Sequence, residues 1–434
     1  MTQVHKLVAA CLTAGLVIVM IEAVAFVLFS LTERRVMTWG RVQAAQQQAR
    51  AAAGDVDPAM ALEDVPLPAY ISNGVVHPYL GFVLRRDFNT VTRLERGSAD
   101  CLEYGFDLCE PGLFHEAAPH KLVVGITGGS VARSFAVQHG NLLRDELRRL
   151  RPELEQVVLL NLALPGYKQP QQLMSLAWVL ALGAHFDAVV NIDGYNDVVL
   201  APVENVPNGV FPFYPRGWPL QVSGFDPDLQ LAAGEIRVLR RTRAHRASAF
   251  ERAPWRYSMT AGLVWTRLDR PLARAIAELE AAFVTDSGAA QPSYRASGPH
   301  KKYGTPQEMY ADLADVWMRC SQQMDHLAKG NGAVYLHFLQ PNQYMPDSKR
   351  FTAEERAHAV DEGNPGAQPV RAAYPMLQAR GLGLEARGVR FFDLTGLFAD
   401  ETETIYIDRC CHINERGNER MVRVVARELV SSLP

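Results

Sequence analysis

The sequence predicts an α/β protein: a mostly parallel five-stranded sheet covered by helices on both faces, preceded by one N-terminal transmembrane helix. Three observations carry this reading. Short runs that are almost wholly apolar recur at 121–127, 157–162, 187–192, 333–339 and 389–394, and a strand apolar on both faces is one buried on both faces. Stretches with helical spacing lie between or beside them, at 132–150, 170–183, 307–329, 352–380 and 414–432. Strands alternating with helices form crossover connections in a single sheet. Finally, Leu7 to Leu31 is a greasy run with a single charge, Glu22.

That run is roughly 37 Å long as a helix, enough to cross a hydrocarbon core of about 30 Å. A cleavable leader has an apolar stretch of about 7–15 residues and ends at a small-x-small site. Ala23-Val24-Ala25 has the shape of such a site, but Phe26-Val27-Leu28-Phe29 continues the run past it. We therefore expect a short tail at 1–6 and an uncleaved anchor in the lipid bilayer at 7–31. Glu22 is costly in lipid; it pairs with another helix, sits near a headgroup, or is tolerated as a protonated carboxyl.

Orientation is argued from two sides. Lys6 precedes the span, whereas Arg34, Arg35 and Arg41 follow it, which taken alone places the body in the cytoplasm. The cysteines argue the reverse. Cys101 and Cys109 are spaced for a small closed loop, and Cys320 could reach Cys410 or Cys411, the mark of an oxidising compartment. The expectation is a single-pass protein with a cytoplasmic N-terminus and an extracytoplasmic, periplasmic body.

Past the anchor, 32–60 is rich in Ala, Gln and Arg and reads as a stalk. Residues 61–120, with Pro66, Pro68, Pro78 and Pro111, read as an irregular extension. The α/β domain occupies 121–434 and carries an insertion at about 198–306. The insertion opens with a Pro-aromatic stretch, Val206 to Pro219. It continues into 237–256, where many arginines face a single acid, Glu251. This reads as a solvated helix face, with contact to anionic headgroups or an acidic polymer as the alternative.

The 44 Lys+Arg against 47 Asp+Glu leave a formal charge of −3, which excludes a dedicated nucleic-acid binder. No Cys-x-x-Cys pair is present and no His/Asp/Glu cluster has metal-ligand spacing, so neither metal nor cofactor is expected. The turn Gly125-Ile126-Thr127-Gly128-Gly129-Ser130 lacks the Lys of a phosphate loop and does not fit the dinucleotide fingerprint.

What the turn does provide is a serine at a strand-to-helix junction. Alone, Ser130 reads as a helix N-cap; with a base it becomes a nucleophile. The base candidate is in Tyr406-Ile407-Asp408-Arg409-Cys410-Cys411-His412, just before the last helix. Asp408 and His412, four apart, share a face if the turn between them is helical, so the carboxylate can hold one ring nitrogen while the other faces Ser130. His337, ending the fourth strand, reads as a hydrogen-bonded core histidine. Gln340 to Tyr344 beyond it could line a cleft, and Asp197 reads as a local cap.

Together these pieces resemble the SGNH/GDSL hydrolase superfamily, whose four blocks occur here in order over roughly 120–434. Gly128-Gly129-Ser130 is similar to the nucleophile block, Asn161 to Gly166 to the glycine block, Asp193 to Asp197 to the asparagine block, and Asp408 to His412 to the Asp/His block. The resemblance implies a flavodoxin-like three-layer α/β/α sandwich. It implies Ser130 as nucleophile, His412 as base and then acid, and Asp408 as its orienter. The oxyanion hole it implies is the Ser130 N–H, the Gly166 N–H and the Asn196 amide. Two departures stand out. Gly129 replaces the usual Asp, and three residues rather than two separate Asp408 from His412, a spacing able to turn the carboxylate away from the imidazole. The implied activity is an esterase or acyltransferase acting on a small acyl ester, such as an O-acylated envelope glycan or a lipid. Glu22, the insertion, the stalk and the departures support a second reading, a catalytically silent accessory subunit of an integral membrane partner.

Overall fold

The structure is a computed structural model that describes residues 3–51, 74–85, 103–107, 112–222, 227–285 and 294–434. In chain order the elements used below are α1 (Gln3–Thr32), α2 (Trp39–Ala51), β1 (Gly74–His77), β2 (Gly81–Leu84), β3 (Lys121–Gly128), α3 (Ser130–Leu150), β4 (Gln156–Asn161), α4 (Gln171–Ala181), β5 (Ala188–Asp193), α5 (Tyr195–Leu200), α6 (Pro227–Glu251), α7 (Met259–Thr285), α8 (Pro306–Gly330), β6 (Val334–Leu339), α9 (Ala353–His358), α10 (Ala367–Glu385), β7 (Arg390–Asp393) and α11 (Glu415–Ser432).

Two compact units divide the chain, one of residues 1–72 with 223–289 and the other of 73–222 with 290–434. The second holds a five-stranded sheet in the order β4-β3-β5-β6-β7, with every neighbouring pair parallel. Each strand falls within a residue of its apolar run, because Val123, Val124, Leu159, Leu160, Val189, Val190, Leu336 and Phe338 are buried whichever face they point to. The helix α3 packs on α11 and on β3 and β4, while α8 packs on β6 and α10.

Within the extension before residue 121, the described residues 74–85 contain a strand pair that its prolines do not suggest. β1 and β2 form an antiparallel pair, and Leu80, Phe82, Val83 and Leu84 are buried in the same core as the sheet. Its backbone is held by side chains of the 167–171 segment. The Gln171 amide donates to the Leu80 carbonyl at 3.0 Å, and the Tyr167 hydroxyl donates to that of Phe82. Cys101 and Cys109 lie outside the described residues.

In the first unit, α1 contains a stretch, Leu12–Thr32, long and apolar enough to cross a membrane. Its Val24, Val27, Leu28 and Leu31 are exposed. On its other side Ala25 and Phe29 are buried with Met37, Val42, Ala49, Ala247, Met259 and Trp265. The expected stalk is therefore, over 39–51, a packed helix. Gly262 makes room for this: a Cβ there would stand 3.2 Å from Val42 and 3.4 Å from Phe29.

Glu22 has its partner within the chain. Its carboxylate accepts from the Ser258 hydroxyl at 2.6 Å, from the Met259 amide, and from the Thr260 amide at 3.3 Å. Those amides open α7, where a helix has unsatisfied N–H groups and a partial positive charge, so an anion there is stabilising. The expected solvated arginine face is partly consumed between α6 and α7. Arg243 pairs with Asp269 through two bonds of 2.7 Å, Arg240 pairs with Glu280, and Arg246 donates to the Leu268 carbonyl.

Candidate functional site

The site gathers at the carboxyl ends of β4, β3 and β5, three neighbouring strands. The turn after β3 needs glycine twice. Gly128 has φ +141°, and a Cβ on it would lie 2.1 Å from the Ile192 carbonyl on β5. A Cβ on Gly129 would lie 2.4 Å from the Asn196 side-chain nitrogen. This explains the first departure: a side chain at 129 would displace Asn196. Ser130 is then the first residue of α3, with Gly129 as its cap residue, so Ser130 is not the N-cap.

The Ser130 Oγ lies 2.7 Å from His412 Nε2, although 282 positions separate them. The other ring nitrogen, Nδ1, bonds to Asp408 Oδ2. The second departure has a physical solution. Asp408 Oδ1 accepts the backbone amides of Cys410, Cys411 and His412 at 2.9, 3.1 and 3.2 Å. One carboxyl oxygen winds the turn and the other is left for the imidazole. The turning-away of Asp408 that this spacing allows does not occur.

Electrostatics follow from this pairing. Burial pulls the His412 pKa down, but the Asp408 bond and charge outweigh it and raise the pKa to about 9. Burial pushes the Asp408 carboxyl up, yet its bond to His412 and the turn amides hold it below its ordinary value.

The side chains of Asn342, Gln343 and Tyr344 beyond β6 are buried and brace the turn. Gln343 donates to the Asp408 carbonyl at 2.9 Å, Tyr344 to that of Arg409 at 2.8 Å, and Asn342 to that of Cys410 at 3.1 Å. Sequence reasoning missed this role, because bonds to backbone carbonyls leave no spacing pattern. Asp107 was missed as well: it is buried and accepts from Asn161 at 2.6 Å and from Arg133 at 2.8 Å, joining the glycine block to α3.

Asn196 is half-buried and one of its amide hydrogens goes to the Tyr167 carbonyl at 2.9 Å. An amide carries two donors, so the second is left for a ligand. Gly166, with φ +83°, supplies the tight bend before Tyr167. Asp197 does more than cap locally. It accepts from the Gly194 amide at 3.1 Å and from the Gln169 amide at 2.7 Å, tying the asparagine block to the glycine block. Burial first, and Asp193 second, raise its pKa to about 8.

No protein-family model and no curated protein matches the chain. The site therefore has to be read from its own geometry. Among the described residues one grouping could hold a metal ion, Cys410, Cys411 and His412, whose ligand atoms lie within 4.8 Å of one another. Both nitrogens of His412 are already bonded, so an ion there would displace Ser130 or Asp408. The expected bond from Cys320 to Cys410 or Cys411 is absent. Cys320 is a free thiol buried on α8, and Cys410 and Cys411 are free thiols next to each other.

His337 is the expected core histidine. It is fully buried, with Nε2 2.8 Å from Asp193 Oδ1 and Nδ1 2.7 Å from Ser321 Oγ.

Proposed function

We propose that the chain is a membrane-anchored serine esterase or acyltransferase of the SGNH/GDSL kind, on a three-layer flavodoxin-like α/β/α sheet. The observation that carries it is the continuous path Ser130 Oγ, His412 Nε2, His412 Nδ1, Asp408 Oδ2. In this reading His412 takes the Ser130 proton as the hydroxyl attacks an ester carbonyl. Asp408 fixes the tautomer and stabilises the imidazolium. The Ser130 and Gly166 amides and the free Asn196 N–H receive the oxyanion; each such donor is typically worth about 10²–10³ in rate. His412 then returns the proton to the leaving alcohol. Water or an acceptor hydroxyl attacks the acyl-serine, with His412 again as base.

The α1 span holds the body at a bilayer, which suits an O-acylated envelope glycan or a lipid-like ester, and we place the body on the extracytoplasmic side. The accessory-subunit reading rests on Glu22, the insertion, the stalk and the two departures. Glu22 is satisfied by residues 258–260, and both departures serve the site's geometry, so the enzymatic reading is preferred.

The test treats the full chain in detergent with a fluorophosphonate probe, beside Ser130→Ala and His412→Ala. Labelling at Ser130 that disappears in both variants is expected. Folded wild-type protein that takes up no probe would sink the proposal.

A further inference from the structure

Between Asp408 and His412 stand two adjacent cysteines whose sulfurs approach to 2.9 Å. Their surroundings differ. Cys410 is half-buried. Cys411 is 3% exposed and belongs to the core that holds Tyr374 and Tyr406. Both backbone amides are pinned by Asp408 Oδ1, and the Cys410 carbonyl by Asn342. The two sulfurs are thus held together by a fixed turn.

The separation discriminates between two uses of such a pair. Two thiolates on a tetrahedral zinc ion, each at about 2.3 Å, sit about 3.7 Å apart. A disulfide needs about 2.05 Å, so closure asks for less than about 1 Å of sulfur movement. Neighbouring Cα atoms across a peptide are about 3.8 Å apart, below the usual span of a disulfide of at least about 4.4 Å, and a bond outside that span is readily reduced.

We propose that Cys410 and Cys411 are a redox-active vicinal pair in which Cys411 expels thiol adducts from Cys410, keeping the neighbourhood of His412 clear. The co-reactant is a low-molecular-weight disulfide, the class of oxidant expected for a body in an oxidising compartment. The Cys410 thiolate attacks one sulfur of the disulfide, forming a mixed disulfide and releasing one thiolate. Cys411 loses its proton and attacks the Cys410 sulfur, forming the eight-membered vicinal ring and releasing the second thiolate. Both cysteine protons end on the two released thiols, and the co-reactant gains the two electrons that the pair loses.

The directions of the thiol acidities favour Cys410 for the first attack. A hydrogen bond from Cys411, outweighing burial, lowers the Cys410 pKa, with His412 adding to the effect. Burial raises that of Cys411. The thiolate is the attacking species.

The pair lies in the site proposed above, and its consequence for labelling rests on that reading; formation of the ring does not. The experiment exposes the full chain in detergent, first reduced, to oxidised glutathione, alkylates remaining thiols and digests with trypsin. Arg409 and Arg416 flank the pair, so the peptide Cys410–Arg416 reports on it alone. In wild type we expect that peptide unalkylated, free of glutathione and lighter by two hydrogens than the dithiol, with Ser130 still labelled by fluorophosphonate. In Cys411→Ser we expect glutathione retained on Cys410 and labelling reduced at least about 10-fold, restored by dithiothreitol. Cys410→Ser should take no adduct at Cys411. A wild-type peptide recovered doubly alkylated, or with stable glutathione, overturns the pair. A Cys411→Ser adduct that leaves labelling unchanged overturns the clearing role. Ring formation in a protein that never labels leaves the pair standing and removes the hydrolase reading.

Discussion

Among the described residues of the sheet-bearing unit, two Ser–His–Asp arrays share a Ser–His distance of 2.7 Å and have opposite surroundings. Ser130, His412 and Asp408 lie on a helix start and a loop, and the His412 and Asp408 side chains are 33% and 41% exposed. Ser321, His337 and Asp193 lie on α8, β6 and β5, and the His337 and Asp193 side chains are 0% and 1% exposed. The sealed array is also saturated: Asp193 takes Trp317 at 2.7 Å and Asn191 at 2.8 Å besides His337. The ring is reversed as well, for its serine meets Nδ1 and its carboxylate Nε2. Three side chains in hydrogen-bond sequence are therefore not a catalyst. Under the proposed hydrolase reading, exposure of His412 and Asp408 is what an ester would need to reach the first array, whereas the second, sealed one fastens α8 to the sheet.

The sharpest way to break this comparison is to exchange the effects of the two serines. Ser130→Ala should lower ester turnover by at least about 10³ while leaving the melting temperature unchanged. Ser321→Ala should keep kcat/KM within about 3-fold but destabilise by roughly 1–3 kcal/mol, because it leaves a buried His337 nitrogen unpaired. Chemical denaturation of both variants beside turnover reads the two effects, and equal losses of activity would erase the distinction. Next in size, His337→Leu leaves the buried Asp193 carboxylate without its imidazole, and a loss of about 3–5 kcal/mol is expected in the unfolding free energy measured by chemical denaturation. Gly129→Ala should cost about 10²-fold in kcat with little change in KM, since its Cβ would meet Asn196 at 2.4 Å.

A smaller effect sharpens the contrast through pH. His412 must be neutral to act as base, so kcat/KM should climb toward pH 9, where its raised pKa lies. Its stabilising bond as a cation has the opposite trend: present below the unfolded value of about 6.5, it is lost as pH rises through about 9. Asp408→Asn removes the carboxylate charge and should move the acidic limb of the rate profile to lower pH. A limb that stays in place would assign it to another group.

How far the sequence foretold this depends on the kind of force involved. The five strands were legible because burial on both faces leaves runs such as Leu122-Val123-Val124. The span read as one helix over 352–380 is two, α9 and α10, since Gly363-Asn364-Pro365-Gly366 interrupts it. Ser130, Gly166 and Asn196 could be named from their places at strand ends, and Asp408 and His412 from their spacing of four ahead of the last helix. The amide cradle on Asp408 and the carbonyl braces of Asn342, Gln343 and Tyr344 could not, because their partners are backbone atoms. The insertion was read as one piece, yet 227–285 belongs with the N-terminal helix. Nothing in the Ala, Gln and Arg of α2 shows that Val42 and Ala49 have partners two hundred residues on.

The Glu22 cap has a consequence in time. The carboxylate leaves the ribosome early, while its partner Ser258 follows 236 residues later. The first three strands of the sheet are made in between. If this helix enters a bilayer, it carries its charge unsatisfied until residues 258–260 are made, at a depth where that is expensive. Translation order sets a waiting period that ends when the α6–α7 hairpin is delivered. A leader peptidase acting after Ala25 within that interval would remove the acceptor before its donors exist.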